Sequence, residues 1–299
     1  MLYYFIINGR SDIRSKVDAV LDARLPELNI QYRKYYTRGI GDGTRFVRLN
    51  CDLHQKEVTC YVACGGSGTA NEVASGLVGF QNKYMGFLAF GETNDTAKYW
   101  PDRCFTDLKG LVEGTPKKID IIKIGDNYAL NVINVGFEGS VAYGAAMKID
   151  EGVPAIKAYR NTIVKSVLSH RLNFIRITAD GKPLNRRAMM SCPIGNGIWC
   201  GGQYRCCPDA INDDGLMEVI VIRPMLMLSF AILLNHYRKG THLKNPFCRK
   251  RITYCRARHL ELESRDLIYV SLDGETYASS KFKLDVLPGA INFILPPKL

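Results

Sequence analysis

The sequence predicts two successive domains of different class: an α/β domain on a parallel sheet, then a mostly antiparallel β domain of the sandwich or barrel kind. Three observations lead there. The chain has 299 residues, about twice a common domain length. Over the first 120 or so residues, short apolar runs alternate with helix-like stretches. Beyond Pro116, β-like runs dominate and hairpin signals appear. The boundary is placed so that the domains are 1–118 and 119–299, with the final strand free to return to the first.

The first apolar run, 3–7, ends in Asn8-Gly9-Arg10-Ser11 and precedes a helical stretch over 16–25. The second, 58–64, ends in Gly65-Gly66-Ser67-Gly68-Thr69 ahead of a helical stretch over 70–79. The third, 84–90, ends in Gly91-Glu92-Thr93-Asn94-Asp95 ahead of another helical segment. Strand, tight turn and helix in repetition is the pattern of parallel strands with helices on both sheet faces. Ligands of such sheets gather at the carboxyl ends of the strands, where all three turns fall.

In the second half, runs 119–124 and 128–135 flank Gly125-Asp126-Asn127, a hairpin signal. A run over 172–178 precedes Ala179-Asp180-Gly181, a second such signal. Further strand-like runs occupy 215–222, 267–272 and 282–286, and helical interruptions are expected near 155–169 and 225–238. A β-rich half with few helices reads as a sandwich or barrel.

Composition excludes a disordered or fibrous protein, with 46% hydrophobic and 23% charged residues. Forty Lys and Arg against 29 Asp and Glu leave a formal charge of +11, which points to nucleotides, nucleic acid or an acidic membrane surface. The longest apolar stretch, 225–234 with one Ser inside, is far short of the roughly 20 residues a spanning helix needs. The opening MLYYFIING has neither the basic start nor the cleavage site of a signal peptide and is expected to be a strand. The ten cysteines form no CxxC pair and are expected to be reduced and mostly buried.

Gly65-Gly66-Ser67-Gly68-Thr69 is the most informative segment. Glycines at 65, 66 and 68 let backbone N–H groups reach a bound anion, and the following helix adds the positive end of its dipole. A tight turn that binds nothing is the competing reading of a lone glycine cluster. No Gly-Lys-Ser/Thr follows, so this is not a P-loop, and Ala70 and Asn71 break the dinucleotide GxGxxG pattern.

GGSGTANEVASGL resembles the GGDGTxxEVxxGL signature of the soluble diacylglycerol kinase catalytic-domain family, which includes bacterial lipid kinases and the sphingosine and ceramide kinases. The resemblance continues in order along nearly the whole chain. Asn8-Gly9 stands where the family has Asn-Pro, and FLAFGETNDTAKY resembles its PxGTGNDxAR. NVINVGFEG resembles its N-x-x-x-x-G-F segment, GGQYRCCPDAINDDGLMEV its GGG…P-x-A-x-x-x-DG-L stretch, and Asp273-Gly274-Glu275 its DGE.

The resemblance implies an NAD kinase-like fold with the active site between two domains, and Mg²⁺-assisted transfer of the ATP γ-phosphoryl group to a lipid hydroxyl. It places Asn8, Thr37, Gly65, Gly66, Ser67, Gly68, Thr69, Glu92 and Asn94 at the nucleotide. It makes Asp273 and Glu275 the catalytic carboxylates, one of them the general base or a magnesium contact. Asp-Gly before a polar residue is also a common β-turn. The resemblance further implies a structural Mg²⁺ held by the Asp214 carboxylate and the carbonyls of Ile211 and Leu216; a solvated acidic turn is the alternative.

Three positions depart from the family pattern. Ser67 replaces the Asp of GGDGT, and a hydroxyl supplies neither the charge that holds Mg²⁺ nor a base at neutral pH. Glu92 and Thr93 replace Thr and Gly, and a carboxylate beside phosphates is repulsive unless it recruits the metal. Gly9 for Pro is the milder change. Stretches 236–239 and 244–258 concentrate Lys and Arg with Tyr237, Phe247 and Tyr254 interleaved. Such a run is a solvated basic face by default, an RNA-stacking surface, or a contact with anionic membrane. The resemblance favours the membrane over nucleic acid.

The function expected is thus ATP-dependent phosphorylation of a lipid hydroxyl by a cytoplasmic protein, peripheral at the inner membrane face, with a homodimer left open. The alternative is a catalytically weak or inactive relative that binds nucleotide or lipid in a regulatory role.

Overall fold

Five parallel strands form the sheet of the first of two units in the computed structural model, which describes residues 1–92, 94–151, 153, 161–162, 173–186 and 188–299. The first unit comprises Met1–Ile121, Asn212–Asp214 and Leu287–Leu299; the second comprises Ile122–Ile211 and Gly215–Val286.

In the first unit β1 (Leu2–Ile7), β2 (Gln31–Tyr36), β3 (Thr59–Gly65) and β4 (Lys83–Ala89) pair in the order β2-β1-β3-β4. The carboxyl end of β14 (Glu275–Leu295) adds alongside β4 through Asn292 and Phe293. β1 and β3 are apolar on both faces and buried almost throughout, as parallel strands covered by helices must be. Helix α1 (Ser11–Arg24) buries Ile13, Val17 and Leu21 at four-residue spacing. It starts before the predicted residue 16: Ile13 is the one apolar residue among Ser11, Asp12, Arg14 and Ser15, and it already carries the four-residue period.

The sequence reading passed over β2 and helix α2 (Asp42–Leu53). QYRKYY is an exposed edge strand without an apolar run, and α2 buries little beyond Val47 and Cys51 among its apolar residues. The helix expected after Asp95 is only a 3-10 turn, Ala97–Tyr99. Pro101 biases Trp100 away from the helical region, and Trp100 sits at φ −117°, ψ 77° with its ring stacked 5.1 Å from Phe293. Helix α3 (Ser67–Leu77) follows β3, and the short α4 (Leu108–Val112) precedes β5 (Thr115–Ile124).

The second unit is a mostly antiparallel, sandwich-like β domain. It contains β6 (Asn127–Ala129), β7 (Val132–Gly136), β8 (Arg176–Ala179), β9 (Lys182–Pro183), β10 (Ser191–Gly195), β11 (Met217–Ile222), β12 (Ile252–Ala257) and β13 (His259–Leu272). The order is β12-β11-β10-β7-β13-β14, with the β8–β9 hairpin on β13. Helix α5 (Phe137–Asp150) follows β7, and a second helix spans Met227–Lys239. The helix expected at 155–169 lies almost entirely outside the described residues.

The expected run 128–135 is two strands: β6 pairs with β5, whereas β7 pairs with β10 and β13. β13 and β14 are far longer than the runs at 267–272 and 282–286, since their outer faces are charged. Glu261 stands opposite Lys283 and Glu263 opposite Lys281, and each pair forms a salt bridge. Inward residues, among them Ile133, Val219, Leu262 and Val270, make the core. The cysteines are all free thiols, most of them buried. Among the described residues no helix is long and apolar enough to cross a membrane.

Candidate functional site

In the first unit the chain leaves β1 to build β2 on one side and later β3 on the other. That reversal opens a crevice beyond the carboxyl ends of β1 and β3, the usual ligand position in an open α/β sheet. Asn8 follows β1, the glycine turn follows β3, and the Gly91 turn follows β4.

These turns are tied to one another. Asn8 donates its backbone N–H to the Cys64 carbonyl at 3.0 Å and its side-chain amide to Thr69 Oγ1 at 3.1 Å. Thr37 Oγ1 accepts the Gly9 N–H at 3.1 Å, so Thr37 braces the end of β1. Gly91 donates its N–H to the Gly65 carbonyl, and the Asn94 side chain closes the turn through Gly91 N–H at 3.0 Å and Gly91 carbonyl at 2.8 Å. Asn94 takes φ +46°, a conformation Asn tolerates. A Cβ on Gly91 would overlap Gly66 Cα, so glycine is required for this approach.

Helix α3 begins directly behind Gly66 with no side-chain cap and no acidic residue in its first turn. Its first N–H groups and dipole are therefore not taken up by a carboxylate of its own first turn, the arrangement that suits phosphate. Gly68 and Thr69 lie in that first turn.

The departures from the family pattern have definite places. Ser67 is 8% exposed, and its hydroxyl accepts the Asp95 N–H at 2.8 Å. The Glu92 side chain is 87% exposed and faces the Arg10 guanidinium at 3.9 Å, away from the buried ties of the turn. Asp95 is buried and pairs with Lys98 at 3.7 Å. Glu72, the Glu of GTANE, accepts the N–H groups of Gly41 and Gly43 at 3.1 and 2.8 Å and so serves the start of α2.

In the second unit Asp273 and Gly274, both at positive φ, make the two-residue turn between β13 and β14. The Asp273 carboxylate accepts three consecutive backbone N–H groups: Leu130 at 2.9 Å and Asn131 at 3.0 Å on Oδ2, and Val132 at 3.0 Å on Oδ1. These donors are the backbone released where β6 gives way to β7. Glu275 Oε2 accepts the Tyr277 hydroxyl at 2.7 Å. Asn131 extends the network, since its amide donates to the Trp199 carbonyl at 2.7 Å and its carbonyl accepts from Asn196 and Gly197. Asn131 heads the NVINVGFEG motif, yet its link to Asp273 carries no local signal. Glu138, from the same motif, is half-buried beside the Ser191 hydroxyl that donates to it, and desolvation pushes its carboxyl above the usual range.

Among the described residues no group of three or more His, Cys, Asp or Glu is placed to hold a metal. Around the acidic loop, Asp213 pairs with Lys117 at 2.9 Å, and the Asn212 carbonyl accepts the Asp120 N–H at 2.7 Å. Asn212 is buried, and its Oδ1 has no hydrogen-bond partner among the described residues. That oxygen and the Asp214 carboxylate are the hard donors Mg²⁺ takes, with Ile211 and Leu216 flanking them in the chain. The donor chemistry suits a hydrated ion with few carboxylates.

The family model of the diacylglycerol kinase catalytic domain matches residues 3–124, and that of the YegS C-terminal NAD kinase beta sandwich-like domain matches residues 131–295. A protein of Chromohalobacter salexigens described as "Probable lipid kinase YegS-like" is 25% identical, covering 98% of this chain and 93% of its own. A protein of Serratia proteamaculans with the same description is 27% identical over the same shares. The crystal structure of a diacylglycerol kinase from Bacillus anthracis superposes with a TM-score of 0.71 at 17% identity, covering 99% of this chain and 97% of that one. Yeast NADH kinase complexed with NADH gives 0.52 at 10% identity, covering 100% and 84%. Both show an NAD kinase-like fold.

Proposed function

This chain belongs to the family defined by the YegS C-terminal NAD kinase beta sandwich-like domain behind a diacylglycerol kinase catalytic domain, and on that premise we propose that it is an ATP-dependent lipid kinase. It transfers the γ-phosphoryl group to the hydroxyl of diacylglycerol or a related lipid, as a cytoplasmic protein peripheral at the inner membrane face. The observation that carries the reading is the uncapped start of α3 at the β1/β3 switch point, braced by the Gly91 turn. The relatives described as lipid kinases and the formal charge of +11 support it.

In this reading the backbone of Gly65, Gly66, Ser67, Gly68 and Thr69 holds phosphate oxygens. Asn8 and Thr37 fix that turn from the β1 side, and Asn94 fixes the facing turn, with Glu92 at its rim. Mg²⁺ would enter with ATP, take most of its ligands from phosphate oxygens and spread their charge. Asp273 and Glu275 are the carboxylates assigned to the acceptor hydroxyl. The lone pairs a base would offer are, at Asp273, already turned on three N–H groups, so Glu275 is assigned the proton and Asp273 the positioning of the turn.

A panel of lipid acceptors with labelled ATP tests the reading, beside the melting temperature with and without Mg-ATP. Transfer to at least one lipid is expected, with a nucleotide-dependent rise in Tm. No shift with millimolar nucleotide would remove the kinase reading. Ser67 in place of the family Asp favours the second reading, a weak or inactive relative that binds nucleotide or lipid. A nucleotide shift without transfer to any lipid, unchanged in Ser67→Asp and Glu92→Thr, selects that reading.

A further inference from the structure

The helix Met227–Lys239 is amphipathic in an unusual sense. Phe230, Leu233 and Tyr237, spaced as one helical face, pack with Cys206, Cys207 and Ile220. The opposite face of a surface helix is ordinarily polar. Here Leu228 and Ile232, one turn apart, are 78% and 41% exposed, and Leu226 just before the helix is 77% exposed. Single exposed aliphatics are commonplace, but several along one face form a patch that calls for an occupant.

The charge around the patch says which occupant. From Val219 to Leu260 the chain holds nine Lys or Arg and no Asp or Glu. Arg223, Arg238, Lys239, Lys244, Arg249 and Lys250 are exposed. None of these six makes an ion pair with another described residue. Arg223 precedes the aliphatic patch, and Arg238 and Lys239 end the helix that carries it. A second copy of this chain is a poor occupant, because a two-fold contact would bring the basic surface against itself. RNA is a poorer one, because the outward face of the helix is aliphatic and the exposed rings of Phe247 and Tyr254 lie outside it. Apolar side chains flanked by Lys and Arg match the boundary between acyl chains and anionic headgroups.

We propose that the outward face of the helix Met227–Lys239, with the segment 223–226 before it, inserts into the surface of an anionic bilayer and docks the protein there. The proposal deepens the lipid-kinase reading by naming the surface that meets the membrane holding the acceptor. It rests on that reading for its purpose, and on exposure and charge for its evidence.

The test uses the full chain and sedimentation with vesicles of phosphatidylcholine alone or mixed with phosphatidylglycerol. Wild type should bind the mixed vesicles, bind the neutral ones much more weakly, and lose binding as salt rises. Leu228→Asn with Ile232→Asn should weaken binding by about tenfold or more at unchanged Tm, because both side chains already face solvent. The same variant should keep the nucleotide-induced Tm shift and wild-type turnover on acceptor dispersed in detergent micelles. Equal binding of variant and wild type overturns the proposal, as does equal binding to neutral and anionic vesicles. So does a variant that binds vesicles normally while changing a dimer into a monomer, or one that loses only RNA. Absence of turnover with every micellar lipid beside intact vesicle binding would instead remove the kinase reading and leave the docking surface standing.

Discussion

The Ser67 hydroxyl accepts the Asp95 backbone N–H at 2.8 Å, joining the first turn of α3 to the turn that follows β4. The residue that departs most from the family signature is therefore a structural tie between two of the turns assigned to phosphate. A carboxylate at position 67 could accept the same N–H while adding a charge, whereas a methyl group could not.

Ser67→Ala should lower stability by about 1–3 kcal/mol, the cost of leaving a buried N–H without its acceptor, and weaken the nucleotide-induced Tm shift. Ser67→Asp should keep the tie and the stability. Thermal unfolding of both variants, with and without Mg-ATP, checks this. Equal stability of Ser67→Ala and wild type would show that the tie contributes nothing.

Gly91→Ala should abolish the nucleotide shift and destabilise the first unit, since the new Cβ would overlap Gly66 Cα. Gly39→Ala is the control, with no heavy atom within 4 Å of the added Cβ. Isothermal titration with ATP should separate the two, with the Gly39 variant close to wild type.

Asp273→Asn should destabilise the second unit and reduce activity together, because an amide cannot accept on both sides and turns a donor toward the N–H groups of residues 130–132. The expected loss is about 1.5–3 kcal/mol. Glu275→Gln should instead leave Tm near wild type and remove turnover. Circular-dichroism melts beside kinase rates distinguish the two carboxylates; a Tm unchanged in Asp273→Asn would refute the anchoring role.

Glu218, buried in β11, has its carboxyl pushed up by burial from 4.5 to about 7. Between those values the folded state holds a proton that the unfolded state has released, so this residue lowers stability as pH rises through that window. Glu218→Gln should flatten the slope and raise Tm above pH 7 by roughly 2–4 °C for each kcal/mol recovered. Buried His242, held down at about 4 from 6.5, contributes the opposite slope, so the Gln variant exposes it. Tm measured from pH 4 to 8 in both proteins reads the difference.

Much of the candidate site was legible residue by residue. Asn8, Gly66, Thr69, Gly91 and Asn94 mark turns through their own conformational chemistry, and the structure brings them together at the switch point. The resemblance places Glu92 at the nucleotide by position in the chain, and its side chain turns outward to Arg10. Strand β2 escaped because a solvent-exposed edge strand carries no apolar run, and helix α2 because its buried stripe is narrow, with Val47 and Cys51 its only large buried apolar side chains.

The sequence by itself determined the two domain classes, the strand–turn–helix order and the glycine turns, because hydrophobic period and backbone freedom are properties of neighbouring residues. Only the tertiary structure decided what Asp273 does, since its partners lie 141 to 143 residues away in the chain. It alone decided that Leu228 and Ile232 face outward while Leu233 faces in. Burial and long-range hydrogen bonding are set by which elements meet, and a local pattern of residue types does not contain that information.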